Sequence, residues 1–151
     1  MKKILIFLLP LLVWSCDSRK IVFEEEVVLG NHWSYDQQLD FSFEVPDTLA
    51  AYDLILEIEH DKEYPFQNFY TQFTTSYPGG KVVKDLVSME LADTYGQWKG
   101  DCGRETCVAE ILLSSNSLFK NMETHRIQIE QYTRTPLLSG IEKFRFLLIQ
   151  K

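Results

Sequence analysis

Cys16 is the residue whose setting most directly suggests chemistry, because it follows an apolar run and precedes a charged stretch. Lys2 and Lys3 come before the apolar segment 4–14, and the small residue Ser15 stands directly before the cysteine. A basic start, a short apolar core and a small residue at its end are typical of a signal peptide. One interpretation is therefore an ordinary secretory signal cleaved near Ser15, with Cys16 incidental.

The favoured interpretation is a lipoprotein signal, in which the Cys16 thiol is acylated and cleavage makes this residue the new N-terminus. Leu12 and Val13 supply the aliphatic residues of such a lipobox, whereas Trp14 is unusually bulky there. We predict a signal peptide over 1–15 and a lipidated tether over 16–20. Two or three acyl chains, such as palmitate, make attachment effectively permanent, since each buried CH₂ contributes about 0.8 kcal/mol.

Cys102 and Cys107 form the other cysteine pair, in the sequence GDCGRETC. In an oxidising compartment such a close pair is most simply a disulfide that closes a small ring, worth roughly 2 kcal/mol. A zinc half-site or a redox pair is the alternative. Neither is favoured, because no second Cys or His pair lies nearby in sequence and a redox dithiol usually reads C-x-x-C.

Catalytic and metal-binding residues are not marked by any motif. The sequence holds three histidines, His32, His60 and His125, and no G-x-S-x-G elbow. Acidic residues at 57, 59 and 61 surround His60 and suggest a calcium site, but alternation along a strand places residues 57 and 59 on the face opposite His60. A paired-carboxylate glycosidase stays open in principle. We predict no catalytic residue, no metal, no cofactor and no enzymatic activity.

Large aromatic side chains lie in predicted loops, where β-sandwiches usually place recognition surfaces. Exposed rings favour protein partners or the faces of sugars. The alternative is that the rings fold back to close the ends of the sandwich. The candidate contact residues are Trp33, Tyr64, Phe66, Tyr95 and Trp98.

The elements that must position these residues are strands. From Ile21 onwards apolar residues recur with a period near two, in runs separated by Gly, Pro, Asn and Asp. The alternation predicts about eight strands, and their spacing favours an antiparallel β-sandwich, jelly-roll-like, over alternating βαβ units. The predicted strands are 39–45, 52–60, 68–77, 82–91, 108–113, 125–132 and 143–151, after a first strand near Ile21.

Length and charge limit the remaining possibilities. Loss of residues 1–15 leaves 136 of the 151 residues, enough for a single sandwich domain over 21–151. The formal charge is −7, and it becomes −9 when Lys2 and Lys3 leave with the signal. Phosphate backbones reward clustered Lys and Arg, so a nucleic-acid partner is not expected.

Three further segments resemble one known family. They contain Tyr64-Pro65 with Asn68 and Tyr70, the YGQWKG sequence around Trp98, and Ile129-Glu130-Gln131 followed by Gly140-Ile141. Together with the lipobox, they make the chain similar to the GldH gliding-motility lipoproteins of the Bacteroidota over almost the whole mature length. The Cys102/Cys107 loop does not match a feature of that family.

The resemblance implies a membrane-anchored accessory component of surface gliding, a process linked in that phylum to type IX secretion. It implies no catalytic residue. We therefore expect a lipid-anchored envelope protein that faces the periplasm and contacts other proteins of a motility or secretion assembly. The second hypothesis is a carbohydrate-binding envelope lipoprotein that uses its loop aromatics.

Overall fold

The computed structural model describes residues 19–30 and 32–151, and every regular element in those ranges is a β-strand. The predicted all-β class is confirmed. Eight strands have five or more residues, and three shorter ones add to them because a run of two or three residues is too short to show alternation. The strands are β1 (Lys20–Val28), β2 (His32–Ser34), β3 (Leu39–Phe43), β4 (Ala51–Asp61), β5 (Asn68–Ser76), β6 (Val82–Glu90), β7 (Asp101–Cys102), β8 (Thr106–Leu118), β9 (His125–Gln131), β10 (Leu137–Ser139) and β11 (Ile141–Gln150).

Two antiparallel sheets form the sandwich. The first has five strands in the order β1-β11-β4-β8-β7, and the second has four in the order β3-β9-β5-β6. A two-stranded ribbon of β10 and β2 accompanies them. Neighbours in these sheets are mostly distant in sequence, so the fold depends on long-range pairing rather than on hairpins alone.

Alternation along the central strands decides which side chains enter the core. Phe144, Phe146 and Leu148 of β11 point inward and are fully buried, and they meet the inward residues of the other sheet. The ring of Phe146 stacks on that of Phe41 with centroids 5.4 Å apart. Each large apolar side chain buried in this way contributes roughly 1.5–3 kcal/mol.

The outer face of the five-stranded sheet is partly covered by charge pairs. Arg145 on β11 bonds to Glu57 of β4 and to Glu24 of β1. Lys143 lies 2.8 Å from Glu59, and this hydrogen bond holds the pKa of Glu59 below its usual value. These cross-strand pairs confirm that residues 57 and 59 share the face opposite the core.

The register of the strands gives the sandwich two distinct ends. The proximal end, where β1 begins, contains the loops at residues 44–50, 77–81 and 119–124 and the C-terminal Lys151. The distal end contains four loop regions, at residues 29–30 with 32–38, 62–67, 91–105 and 132–140, and three of them include the short strands β2, β7 and β10. β4 runs between the ends with eleven residues, a length of about 35 Å.

Candidate functional site

All five aromatic residues selected from the sequence lie at the distal end, because the four loops that carry them or flank them meet there. They are not equivalent. Two are buried and support the end of the sandwich, whereas the others reach solvent at least in part.

Trp33 and Tyr64 are the buried pair. Trp33 is fully buried in β2, its ring lies 4.9 Å from that of Phe144, and its indole Nε1 donates to the Gln37 carbonyl at 2.8 Å. The Tyr64 phenol has no hydrogen-bond partner among the described residues, and burial raises its pKa above the usual value. Neither ring offers surface to a partner in this structure.

Phe66 and Tyr95 are the exposed members, at 54% and 91% of their surface. Tyr95 sits at the tip of a turn that Asp93 organises, since Asp93 Oδ1 accepts hydrogen bonds from the backbone N–H groups of Tyr95 and Gln97. Trp98 is half-buried beside this turn and pairs with Ala92 through a β-bridge. We call Phe66, Tyr95 and Trp98 the distal aromatic set.

A second group of rings was not selected from the sequence. Tyr35, Tyr70 and Tyr132 are all about half exposed near the outer face of the four-stranded sheet. The Tyr35 hydroxyl donates to the Thr133 carbonyl at 2.6 Å, and the backbone N–H of Tyr132 donates to the Tyr70 carbonyl at 2.8 Å. For Tyr70 the signal was available, because it alternates with the inward Phe69 along β5.

Next to these tyrosines lies a shallow depression of about 380 Å³. Gln72 and Glu130 contribute polar groups to it and are hydrogen-bonded to each other at 3.3 Å. Aromatic faces beside amide and carboxylate groups are the surface chemistry that sugars and polar peptides use.

Two of the three histidines, His60 and His125, are buried. His60 is fully buried, its Nδ1 lies 2.9 Å from the Asp61 carbonyl, and burial lowers its pKa. His125 is also buried, and burial again lowers the pKa despite the nearby backbone of Asn121 and the carboxylate of Glu123. Within residues 19–30 and 32–151, no three His, Cys, Asp or Glu side chains converge as metal ligands.

The two distal cysteines lie at bonding distance. Cys102 on β7 faces Cys107 on β8 across the ladder, with the sulfur atoms 2.01 Å apart. The turn between them is closed by a hydrogen bond from the Gly103 N–H to the Thr106 carbonyl. This small ring holds the segment that follows the distal aromatic set against the five-stranded sheet.

A groove of about 910 Å³ opens along one side of the sandwich. It lies between the strands β6 and β8 and extends to the proximal end, where His125 lines it. Sequence reasoning missed it, because the groove arises from how the two sheets are packed.

Cys16 lies outside the described residues. The described chain begins at Arg19, whose guanidinium binds the Glu110 carboxylate at 2.6 Å on the outer face of the five-stranded sheet. Within the ranges that the structure covers, no helix is long and apolar enough to cross a bilayer.

By its fold and surface the protein is an antiparallel two-sheet β-sandwich that presents aromatic side chains at its distal end. The sequence matches the family described as GldH lipoprotein over residues 21–145, and the chain belongs to that family.

Two known proteins illustrate the relationship. The chain is similar to the "Gliding motility lipoprotein GldH homolog" of Christiangramia forsetii, with 23% identity over 132 residues, 87% of this chain and 80% of that protein. It is also similar to the "Gliding motility lipoprotein GldH" of Flavobacterium johnsoniae, with 24% identity over 154 residues, 97% of this chain and 95% of that protein. Identity is low, but coverage is high.

Proposed function

We propose that this protein is a membrane-anchored lipoprotein that acts without catalysis, as an accessory component of gliding-motility and type IX secretion-associated envelope machinery. Acyl chains on Cys16 would hold it on the bilayer, facing the periplasm, and protein contacts at the distal end would carry the function. The names of the two relatives support the role in gliding, and membership of the lipoprotein family supports the anchor.

One observation carries the proposal for protein contacts: the exposed members of the distal aromatic set lie at the end opposite to the start of β1. Cys16 is four residues before Lys20, so the anchor lies within about 14 Å of the first strand. β4 then separates the two ends by about 35 Å. Phe66 and Tyr95 are thereby held away from the bilayer, where soluble domains of neighbouring envelope proteins can reach them.

Site-specific photocrosslinking in intact cells tests this proposal. A benzophenone amino acid placed at position 66 or 95 should give adducts of the same discrete masses with envelope proteins. Leu49, which is 92% exposed in a proximal loop, is the matched control position and should give none of these adducts. Adducts only at position 49, or none at positions 66 and 95, would contradict contacts through the distal end.

The anchor is tested separately. Cells grown with an alkyne-labelled palmitate should incorporate label into the wild-type protein and not into the Cys16→Ala variant. The variant should also leave the membrane fraction. Label in both proteins, or in neither, would refute acylation at Cys16 whatever the crosslinking shows.

Carbohydrate binding is the second candidate, and the exposed tyrosines favour it. Tyr35 and Tyr132 flank the depression that contains Gln72 and Glu130, whereas Trp33 and Tyr64 are buried and have no free face. A glycan array probed with the full-length protein should give signals that the Tyr35→Ala/Tyr132→Ala variant loses. Signals of equal strength from both proteins would exclude this surface.

A further inference from the structure

The groove exists because the sandwich is closed on one side only. On the closed side β1 meets β3, and the ring of Phe23 lies 5.9 Å from that of Phe43. On the other side β6 pairs only with β5, and β8 beyond Val108 pairs only with β4. No strand in the described chain bridges these two edges, so part of the interior is open to solvent there.

Both sheets contribute apolar side chains to the walls of the groove, and polar residues such as Thr75, Ser88 and Ser117 lie among them. Phe73 and Val87 line it from the four-stranded sheet, Ile111 and Leu113 line it from β8, and Phe119 lies towards the proximal end. The volume of about 910 Å³ falls within the range of small-molecule sites, roughly 300–1,000 Å³. An apolar concavity of this size is costly to leave in contact with water.

His125 lines the proximal part of the groove and is buried. Its side chain is only 5% exposed, both ring nitrogens are closed to solvent, and the backbone of Asn121 and the carboxylate of Glu123 lie near it. The ring is enclosed by Phe119 at 4.7 Å and Phe43 at 5.7 Å. The imidazole ring therefore forms part of the wall of the groove and does not present a nitrogen to it.

Two lysines line the proximal part of the groove. Lys81 and Lys120 are exposed, and neither has a carboxylate within 4 Å among the described residues. Lys81 Nζ instead lies 5.5 Å from the centre of the Tyr77 ring. Asp85 also lines the groove, further along β6, and the Glu123 carboxylate lies near His125. Among the residues that line the groove, the two lysines outnumber the one carboxylate in a chain of net charge −7.

We propose that this groove binds a long-chain fatty acid. The acyl chain lies between the two sheets, and the carboxylate lies near Lys81 and Lys120. The lysines complement a single negative charge, and the apolar walls match an unbranched hydrocarbon chain. This site is separate from the distal aromatic set and does not depend on the proposed protein contacts.

Photolabelling of the full-length protein in phosphatidylcholine nanodiscs tests the assignment. The probe is palmitic acid with a diazirine in mid-chain, and the labelled residues are identified by mass spectrometry of peptides. We expect saturable label on the β8 peptide that contains Ile111 and Leu113, displaced by unlabelled palmitate. Label that does not saturate, or that falls equally on the outward Tyr70, would overturn the proposal.

Variants of exposed residues keep the test independent of folding. Lys81→Gln/Lys120→Gln should lower groove labelling roughly fivefold or more, because the carboxylate loses both cations. Lys84→Gln/Lys99→Gln removes two exposed lysines that do not line the groove and should leave labelling unchanged. Equal labelling of the two double variants would refute the role of the lysines.

One further variant and one further probe identify the class of ligand. Ser114→Trp places a large ring on an exposed residue that lines the groove and should abolish labelling by occupying the space. Unchanged labelling of that variant would show that the probe binds elsewhere. A diazirine phosphatidylglycerol should label the groove weakly or not at all, and labelling by this lipid in place of the fatty acid would overturn a single-chain carboxylate ligand.

Discussion

The indole ring of Trp98 packs against the imidazole ring of His60, with the ring centroids 4.6 Å apart. His60 lies in β4 and points into the core, whereas Trp98 comes from the distal loop at residues 91–105. This contact ties the loop that carries Tyr95 to the central strand of the larger sheet. The conformation of Trp98 and of the loop that carries Tyr95 therefore depends on the packing around the buried His60.

The stability of the protein should fall as the pH falls below the ordinary pKa of histidine, about 6.5. Burial lowers the pKa of His60 and of His125 in the folded state, so the unfolded chain binds protons more readily. The stabilisation is complete above about pH 6.5 and is lost as the pH falls towards the folded-state pKa. Urea denaturation at pH 7.5 and 5.5 should show this loss.

The His60→Gln variant measures how much of this pH dependence of stability comes from His60. Its loss of stability between pH 7.5 and 5.5 should be smaller than that of the wild type, by up to about 1 kcal/mol. The lowered pKa values of Asp40 and Glu59 affect stability only at more acidic pH, because carboxyl groups ordinarily titrate near about 4. The same pH dependence in both proteins would show that His60 does not contribute.

Gly100 should tolerate alanine much less well than Gly80 does. Both have a positive φ, near 78° and 89°, but a Cβ on Gly100 would lie 2.0 Å from the Val108 carbonyl oxygen, whereas nothing lies within 4 Å of one on Gly80. Gly80→Ala should cost about 1–2 kcal/mol from backbone strain. Gly100→Ala should cost clearly more, because β7 must move away from β8; similar urea midpoints for the two variants would contradict this.

Removing the disulfide should lower the free energy of unfolding by about 2 kcal/mol, the value expected for closing a short loop. The Cys102→Ala/Cys107→Ala variant and the wild type in dithiothreitol should agree in urea denaturation. The reduced protein should keep the same overall sheets, since only the two-residue β7 depends on the bond. A change below about 0.5 kcal/mol would show that β-pairing alone holds this segment.

Substitutions of two aromatic residues at the distal end should differ strongly in their effect on stability. Trp33→Ala should destabilise the fold by about 3–5 kcal/mol, because it removes a fully buried ring that contacts Phe144. Tyr95→Ala should change stability by no more than about 0.5 kcal/mol and should reduce crosslinking at the distal end. Thermal denaturation followed by circular dichroism distinguishes them, and comparable losses for both would contradict the assignment of Tyr95 to the surface.

The strands were the most predictable feature of this protein. Side chains in a strand point to alternate faces, and this alternation predicted β3 at Leu39 to Val45 and β4 at Tyr52 to His60. The predicted ends lie within about two residues of the observed ends. The predicted run 108–113 was too short for β8, which extends from Thr106 to Leu118. Its second half is rich in serine and carries a positive φ at Asn116, so the alternation there is weak.

The candidate site was predictable only in part. Pro65 and Gly96 predicted that Tyr64, Phe66, Tyr95 and Trp98 lie outside the named strands, as they do, although Trp98 forms an isolated β-bridge. The same prediction was wrong for Trp33, which lies in the short strand β2. Nothing local distinguishes a ring that packs inward from one that faces solvent. That distinction depends on which chain segments lie above the loop, and these segments come from distant parts of the sequence.

The order of neighbouring residues was enough to predict a signal peptide over 1–15, an all-strand body and a pair of cysteines close enough to bond. The strands and the cysteine pair are confirmed, and the signal peptide stays a prediction. Three features became visible only in the folded protein: Trp33 is core and Tyr95 is surface, three tyrosines lie near Gln72, and the sandwich is open between β6 and β8. These features arise from the packing of one sheet on the other, and the period of a single strand contains no information about its partner across the interior.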